Sequence, residues 1–132
     1  MFYSSMFKSN IEIWTMLSSM NKNENKEVDW IERFEAYVIN HLQDSDLTNE
    51  KVATHLDISP THFYRKMKAE LGISPNLYIR DIRLKIAHEI LIEGEVETVA
   101  EVSYKVGFSR SDYFSKLFER KYGYRPISLI NN

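Results

Sequence analysis

The sequence predicts an all-α fold: seven helices arranged as two repeated units joined by one long helix. Three observations predict it. Apolar residues recur at three- and four-residue spacings through residues 29–132, with no strand-like alternation of useful length. Serine, threonine and proline open those segments and glycine closes them, the signals of helix starts and stops. The punctuated pattern then returns about fifty residues later. A chain of 132 residues with 43% hydrophobic and 27% charged residues is ample for one globular domain and too order-promoting for a disordered one.

Residues 1–28 read as an N-terminal tail or linker, with the polar stretch Asn21 to Glu27 after a short amphipathic segment carrying Ile11, Ile13, Trp14 and Leu17. Trp30, Phe34, Tyr37, Val38 and Leu42 then mark one face of a helix ending near Gln43. Thr48 caps a short helix carrying Val52, Ala53 and Leu56. Ser59-Pro60 pairs a cap with proline at the first helical position and opens a helix with Phe63, Met67 and Leu71 inside, stopped by Gly72. Ser74-Pro75 repeats the signal for the longest helix, 75–93, which Gly94 ends. Thr98 and Glu101 form a capping box for a helix reaching Val106. Gly107 turns the chain into a helix from about Ser109 to Tyr122, and Gly123 and Pro126 lead to a last short turn. The units are therefore about 29–74 and 96–132, with 75–93 as the linking helix.

The repeat carries a mechanism. Thr48, Val52, Ala53, Leu56 and Asp57 correspond to Thr98, Val102, Ser103, Val106 and Gly107. Phe63, Met67, Gly72 and Pro75 correspond to Phe114, Phe118, Gly123 and Pro126, with one residue inserted around Phe108-Ser109. A small residue (Ala53, Ser103) lets the second helix approach, and a residue able to take a positive φ (Asp57, Gly107) makes the sharp bend. That is a helix-turn-helix, twice.

Composition excludes several classes of function. With no cysteine there is no disulfide framework, thiolate zinc site or cysteine nucleophile, which fits a reducing cytoplasm. No apolar run approaches a membrane span, and Lys8, Asn10 and Glu12 interrupt any signal-peptide core within residues 1–20. His55 and His62 lack a third ligand, the glycines form no phosphate loop, and Glu93, Glu95, Glu97 and Glu101 read as a solvated loop and helix start. No nucleophile, base and orienting acid can be assembled, so neither an enzyme nor a cofactor is expected. The net charge is −2, but the charges are segregated. Segments 29–59 and 86–104 each carry −5, whereas 60–85 and 105–125 each carry +4. Each positive block holds the second helix of a repeat. Phosphates respond to local potential within a Debye length of about 8 Å, so the segregation favours nucleic acid despite a pI of about 6.1. The alternative is merely solvated helix faces.

Gly107-Phe108-Ser109, Tyr113-Phe114-Ser115-Lys116-Leu117-Phe118 and Tyr122-Gly123-Tyr124-Arg125-Pro126 together resemble the signature of AraC/XylS-family transcription regulators. The first repeat matches independently, through Val52-Ala53, Ser59, Phe63-Tyr64-Arg65, Lys68, Gly72-Ile73-Ser74-Pro75, Tyr78-Ile79, Arg83-Leu84, Ala87 and Leu91. The resemblance covers about 29–128, and the output domains of two-component regulators in this family are the nearest subdivision. It implies a sequence-specific, double-stranded DNA-binding domain whose two second helices enter the major groove. Asp57 departs from the glycine common at its turn, and Leu129-Ile130 stands where the family usually has a Tyr-Arg pair.

Carried over residue by residue, the resemblance places base contacts on Thr61, Tyr64 and Arg65 in the first unit and on Ser111, Asp112, Ser115 and Lys116 in the second. Arg65 can fork onto guanine O6 and N7, and Asp112 can accept from cytosine N4. Lys66, Lys68, Arg110, Arg120 and Lys121 are placed on phosphates, where they set register. Arg80 and Arg83, on the long helix, read as packing or ion-pair residues. The 19 residues of 75–93 span about 28 Å, which sets the two reading helices about one DNA turn apart and predicts an asymmetric site of roughly 15–20 base pairs. Beyond DNA, RNA polymerase is an expected partner. No segment is spare for a metabolite pocket, so control is expected from a sensory or receiver domain in a longer parent or a partner. The alternative is a helical protein-interaction module that keeps the fold without binding DNA.

Overall fold

The computed structural model describes residues 26–130. Its elements are α1 (Lys26–Asn40), α2 (Asn49–His55), α3 (Pro60–Leu71), α4 (Pro75–Glu93), α5 (Val99–Lys105), α6 (Ser111–Tyr122) and a 3-10 turn (Pro126–Leu129). No strand occurs among the described residues. Among the described residues six α-helices stand where the sequence pattern predicts seven. The seventh, at Pro126, is the 3-10 turn, closed by bonds from Ser128 N–H to the Arg125 carbonyl and from Ile130 N–H to the Ile127 carbonyl. α1 opens at Lys26, inside the stretch read as linker, and the segment at Ile11 to Leu17 lies outside the described residues.

The helix ends follow their caps. Thr48 accepts from Lys51 N–H at 3.2 Å and Ser59 from His62 N–H at 3.1 Å. Thr98 accepts from Glu101 N–H at 3.1 Å, while the Glu101 carboxylate reaches back to Glu97 N–H, one residue beyond the usual capping box. Ser74 has the extended cap backbone but makes no side-chain cap bond, leaving Pro75 as the effective start of α4. Thr98→Ala should therefore lower stability by about 1 kcal/mol, read as a lower urea midpoint at unchanged slope. Ser74→Ala should shift it far less.

Both bends have the same hydrogen bonds. In the first, Asp57 N–H bonds the Thr54 carbonyl and Ile58 N–H the Ala53 carbonyl, each at 3.1 Å. In the second, Gly107 N–H bonds the Tyr104 carbonyl at 3.1 Å and Phe108 N–H the Ser103 carbonyl at 3.0 Å. This is the Schellman arrangement, which needs a left-handed residue after the helix. Asp57 takes it at φ 61° and Gly107 at φ 93°. The repeat is thus real at the level of the backbone. Beyond the bends the units diverge by one residue: α3 starts directly from Ser59, whereas α6 has Arg110 as its N-cap, one residue later than expected.

One hydrophobic core runs through both units. Phe34 and Val38 of α1, Val52 and Ala53 of α2, and Phe63 and Met67 of α3 are fully buried in the first unit. Val102, Val106, Phe114 and Phe118 are fully buried in the second. α4 buries Ile79, Leu84, Ile86, Ala87, Ile90 and Leu91, contacting α3 on one side and α5 and the 3-10 turn on the other. His88 of α4 stacks on Tyr122 with ring centroids 4.3 Å apart and shares a 2.6 Å hydrogen bond with the Tyr124 hydroxyl. Those aromatic residues hold the end of α6 against the long helix.

Candidate nucleic-acid interface

The exposed face of α3 is defined by what the helix buries. Phe63 and Met67 turn inward one helical turn apart, so residues about half a turn away must face solvent. Thr61, Arg65 and Lys68 lie on that outward face and are exposed. Tyr64 sits at its edge, with 48% of its surface open. Three of these are the base-reading positions expected for the first unit, and Lys68 is one of its expected phosphate contacts. Lys66 is elsewhere. Its ammonium lies 5.1 Å from the centroid of the Trp30 ring and 3.3 Å from the Glu70 carboxylate, on the flank facing α1.

α6 repeats the arrangement. Phe114, Leu117 and Phe118 face inward, which leaves Asp112, Lys116 and Glu119 outward at four- and three-residue steps. Ser111 and Lys116 are exposed and Ser115 is half-buried at the side of the face. Arg120 is exposed. Lys121 lies nearer the buried side and reaches 3.6 Å to Asp81 of α4 and over the Tyr122 ring. The second face is also more acidic than expected, because Glu119 shares it, paired with Arg125 at 3.6 Å. At its N-terminal end Arg110 grips Asp112 through Nε–Oδ1 at 3.2 Å and Nη2–Oδ2 at 2.7 Å. That pairing holds the Asp112 carboxyl below the ordinary carboxylate range, aided by Tyr113 N–H, and raises the Arg110 guanidinium.

Arg83 is the residue whose task sequence reasoning missed. It is 7% exposed, and among the described residues no carboxylate lies at ion-pair distance from it. Instead Nη1 donates to the Leu42 and Val106 carbonyls, both at 2.8 Å, and Nη2 donates to the Asp44 carbonyl at 3.1 Å. Burial pulls its pKa below the usual arginine value, with the Asp44 charge opposing. Leu42 and Asp44 follow α1 in the first unit, and Val106 ends α5 in the second. One guanidinium on the connecting helix therefore clips the two units together. The signal was available: Ile79, Arg83, Ile86, Ala87 and Ile90 form a single apolar stripe in which one member is charged. Gly107 completes the clip, since a Cβ there would collide with Arg83 Nη1 and the Leu42 carbonyl oxygen.

Among the described residues no group of acidic, histidine or cysteine side chains can hold a metal, and no helix is long and apolar enough to cross a membrane.

Comparison with known proteins agrees with this geometry. A family profile described as a helix-turn-helix domain matches residues 52–132. The chain is 38% identical over 76 residues to histidine kinase P4 of Formosa agariphila, covering 58% of this chain and 6% of that protein. It is 28% identical over 109 residues to the HTH-type transcriptional activator RhaS of Escherichia coli, covering 83% of this chain and 38% of the activator. The chain thus spans well under half the length of either curated relative. Among solved structures, the C-terminal domain of AraT, a response regulator from Geobacillus stearothermophilus, superposes with a TM-score of 0.67 at 35% identity, over 76% of this chain and 82% of that one. With the same bend built twice and the profile covering more than half of its length, the chain belongs to the AraC/XylS family of helix-turn-helix, DNA-binding transcription regulators.

Proposed function

We propose that this chain binds double-stranded DNA sequence-specifically with α3 and α6 in successive major grooves, and regulates transcription from that site. The observation that carries the reading is the pairing of two matched bends with an exposed polar face on each second helix, the halves fixed to each other by Arg83. Thr61, Tyr64 and Arg65 read bases in the first groove; Ser111, Ser115 and Lys116, with Asp112, serve the second. Lys68 and Arg120 are the best-placed phosphate contacts. Lys66 and Lys121, drawn to Glu70 and Asp81, contribute mainly to local potential. The chain acts without catalysis or cofactor, in the cytoplasm. RNA polymerase is its second partner, and a sensory or receiver domain supplies the signal, as the response-regulator likeness suggests.

Fluorescence anisotropy with mixed-sequence and selected duplexes at two salt concentrations tests the reading. Affinity should fall steeply with salt, because log K tracks the phosphates neutralised. Lys68→Ala should weaken all duplexes alike and make the salt slope shallower by about one. Arg65→Ala should cost roughly 1–3 kcal/mol on the preferred duplex and relax choice at one or two base pairs. Absence of duplex binding would favour the protein-interaction reading, for which Ile92 and Tyr104, exposed within the acidic 86–104 segment, supply a surface.

A further inference from the structure

The two reading helices start differently. α3 is capped by the Ser59 hydroxyl, which accepts from His62 N–H. At the matching place α6 has Arg110, whose side chain makes no cap bond. Arginine is not a favoured N-cap residue, and the N–H that a cap would take, that of Tyr113, goes to the Asp112 carboxylate instead. What stands there instead is a guanidinium held side-on by Asp112, which is fixed in turn by Tyr113 N–H at 2.9 Å. Both side chains are mostly in solvent, 72% and 62% exposed, and exposed pairs add little to stability. The pair fixes the orientation of a side chain that would otherwise swing freely.

The donor count shows what orientation does. Arginine has five N–H groups in a rigid fork. The side-on bond to Asp112 uses Nε–H and one hydrogen of Nη2. The two hydrogens on the outer edge of the fork, one from each Nη, remain as a parallel pair. Such a pair fits two phosphate oxygens or O6 and N7 of guanine, and its place at the N-terminal end of α6, the end of a recognition helix that meets base edges, favours guanine. Asp112, with Oδ1 and Oδ2 engaged, is poorly placed to seek cytosine N4 on its own.

We propose that Arg110 is a base-reading residue, specific for a guanine in the second half of the DNA site, and that Asp112 is its positioning residue. This assignment exchanges the roles that the family resemblance suggests for the two, and it rests on α6 lying in the major groove. The test uses the full 132-residue chain, first in selection from a random duplex pool and then in anisotropy titrations. Arg110→Ala and Arg110→Lys should both lose preference at one G·C pair, with affinity for the selected duplex falling about ten-fold and affinity for the duplex lacking that pair unchanged. Asp112→Asn should blunt preference at the same pair while leaving the other positions intact. Helical circular dichroism should be unaltered in all three.

Arg110→Lys keeps the charge and loses the fork, so retained preference in that variant would overturn the forked contact that Asp112 orients. Arg110→Ala weakening all duplexes equally would assign Arg110 to phosphate. A change in Asp112→Asn at a different base pair would show that Asp112 reads alone. If the unaltered chain selects no duplex, the DNA-binding reading itself falls, an outcome distinct from a normal selection that the Arg110 variants leave untouched.

Discussion

Gly107→Ala should destabilise the domain by about 3 kcal/mol, roughly three times the loss at Gly123→Ala. Both glycines have positive φ, 93° and 84°, so each substitution meets similar backbone strain, on the order of 1 kcal/mol. Only Gly107 faces a neighbour. Its added methyl would collide with the Leu42 carbonyl oxygen and the Arg83 guanidinium, while nothing lies within 4 Å at Gly123. The Arg83 side chain can move aside only by giving up its bonds to the Leu42 and Val106 carbonyls, and the Leu42 backbone cannot move without shifting the end of α1. Urea midpoints of the two variants decide the matter. Equal losses would mean that the close approach between the units contributes nothing beyond turn geometry. Asp57→Gly is the control in the other bend: it relieves a left-handed aspartate and should be near neutral.

That contrast also marks how far the sequence could be read. The need for a left-handed residue at both bends is legible because a Schellman turn is a local matter, set by a few consecutive residues. The reason Gly107 cannot be an aspartate like Asp57 is not legible, because it depends on Leu42 and Arg83, both distant in sequence. The same division runs through the site. Thr61, Arg65 and Lys68 follow from the spacing of Phe63 and Met67 on one helix, and helical periodicity places them. Lys66 and Lys121 share those helices and the same charge, but each lies on a flank where another helix supplies a carboxylate or a ring, a fact of packing rather than period. Arg83 was visible as an anomaly, a charge inside an apolar stripe, yet its partners are backbone carbonyls, which carry no residue signature. The start of α6 differs from the sequence expectation for a smaller reason. The residue inserted in the second bend shifts the cap from Ser109 to Arg110, and serine is the stronger cap signal in sequence.

Ile86→Pro should have the largest effect of any single change considered, a loss of about 5 kcal/mol or more. Proline inside a helix removes one backbone bond and collides with the carbonyl four residues back, here Ile82, for about 3 kcal/mol. Ile86 is also 1% exposed, and losing its packing adds about 2 kcal/mol. Against a total stability of roughly 5–15 kcal/mol, that leaves a poorly populated fold. Lys85→Pro separates the two terms, because Lys85 is exposed and only the helix break remains. Its chain should still melt cooperatively at a lower temperature, and it should expose what α4 does for binding. If α4 and the Arg83 clip hold two reading helices about 34 Å apart, the unaltered chain protects two successive major grooves in a footprint. Lys85→Pro should protect one, at a salt concentration where the unaltered chain protects both, since a kinked connector no longer delivers the second helix in register. A footprint of unchanged length would mean that each unit finds its groove independently and that α4 is a tether rather than a spacer. A stiff spacer makes the distance between half-sites part of what the protein recognises, so inserting two base pairs between them should cost the unaltered chain far more affinity than it costs Lys85→Pro.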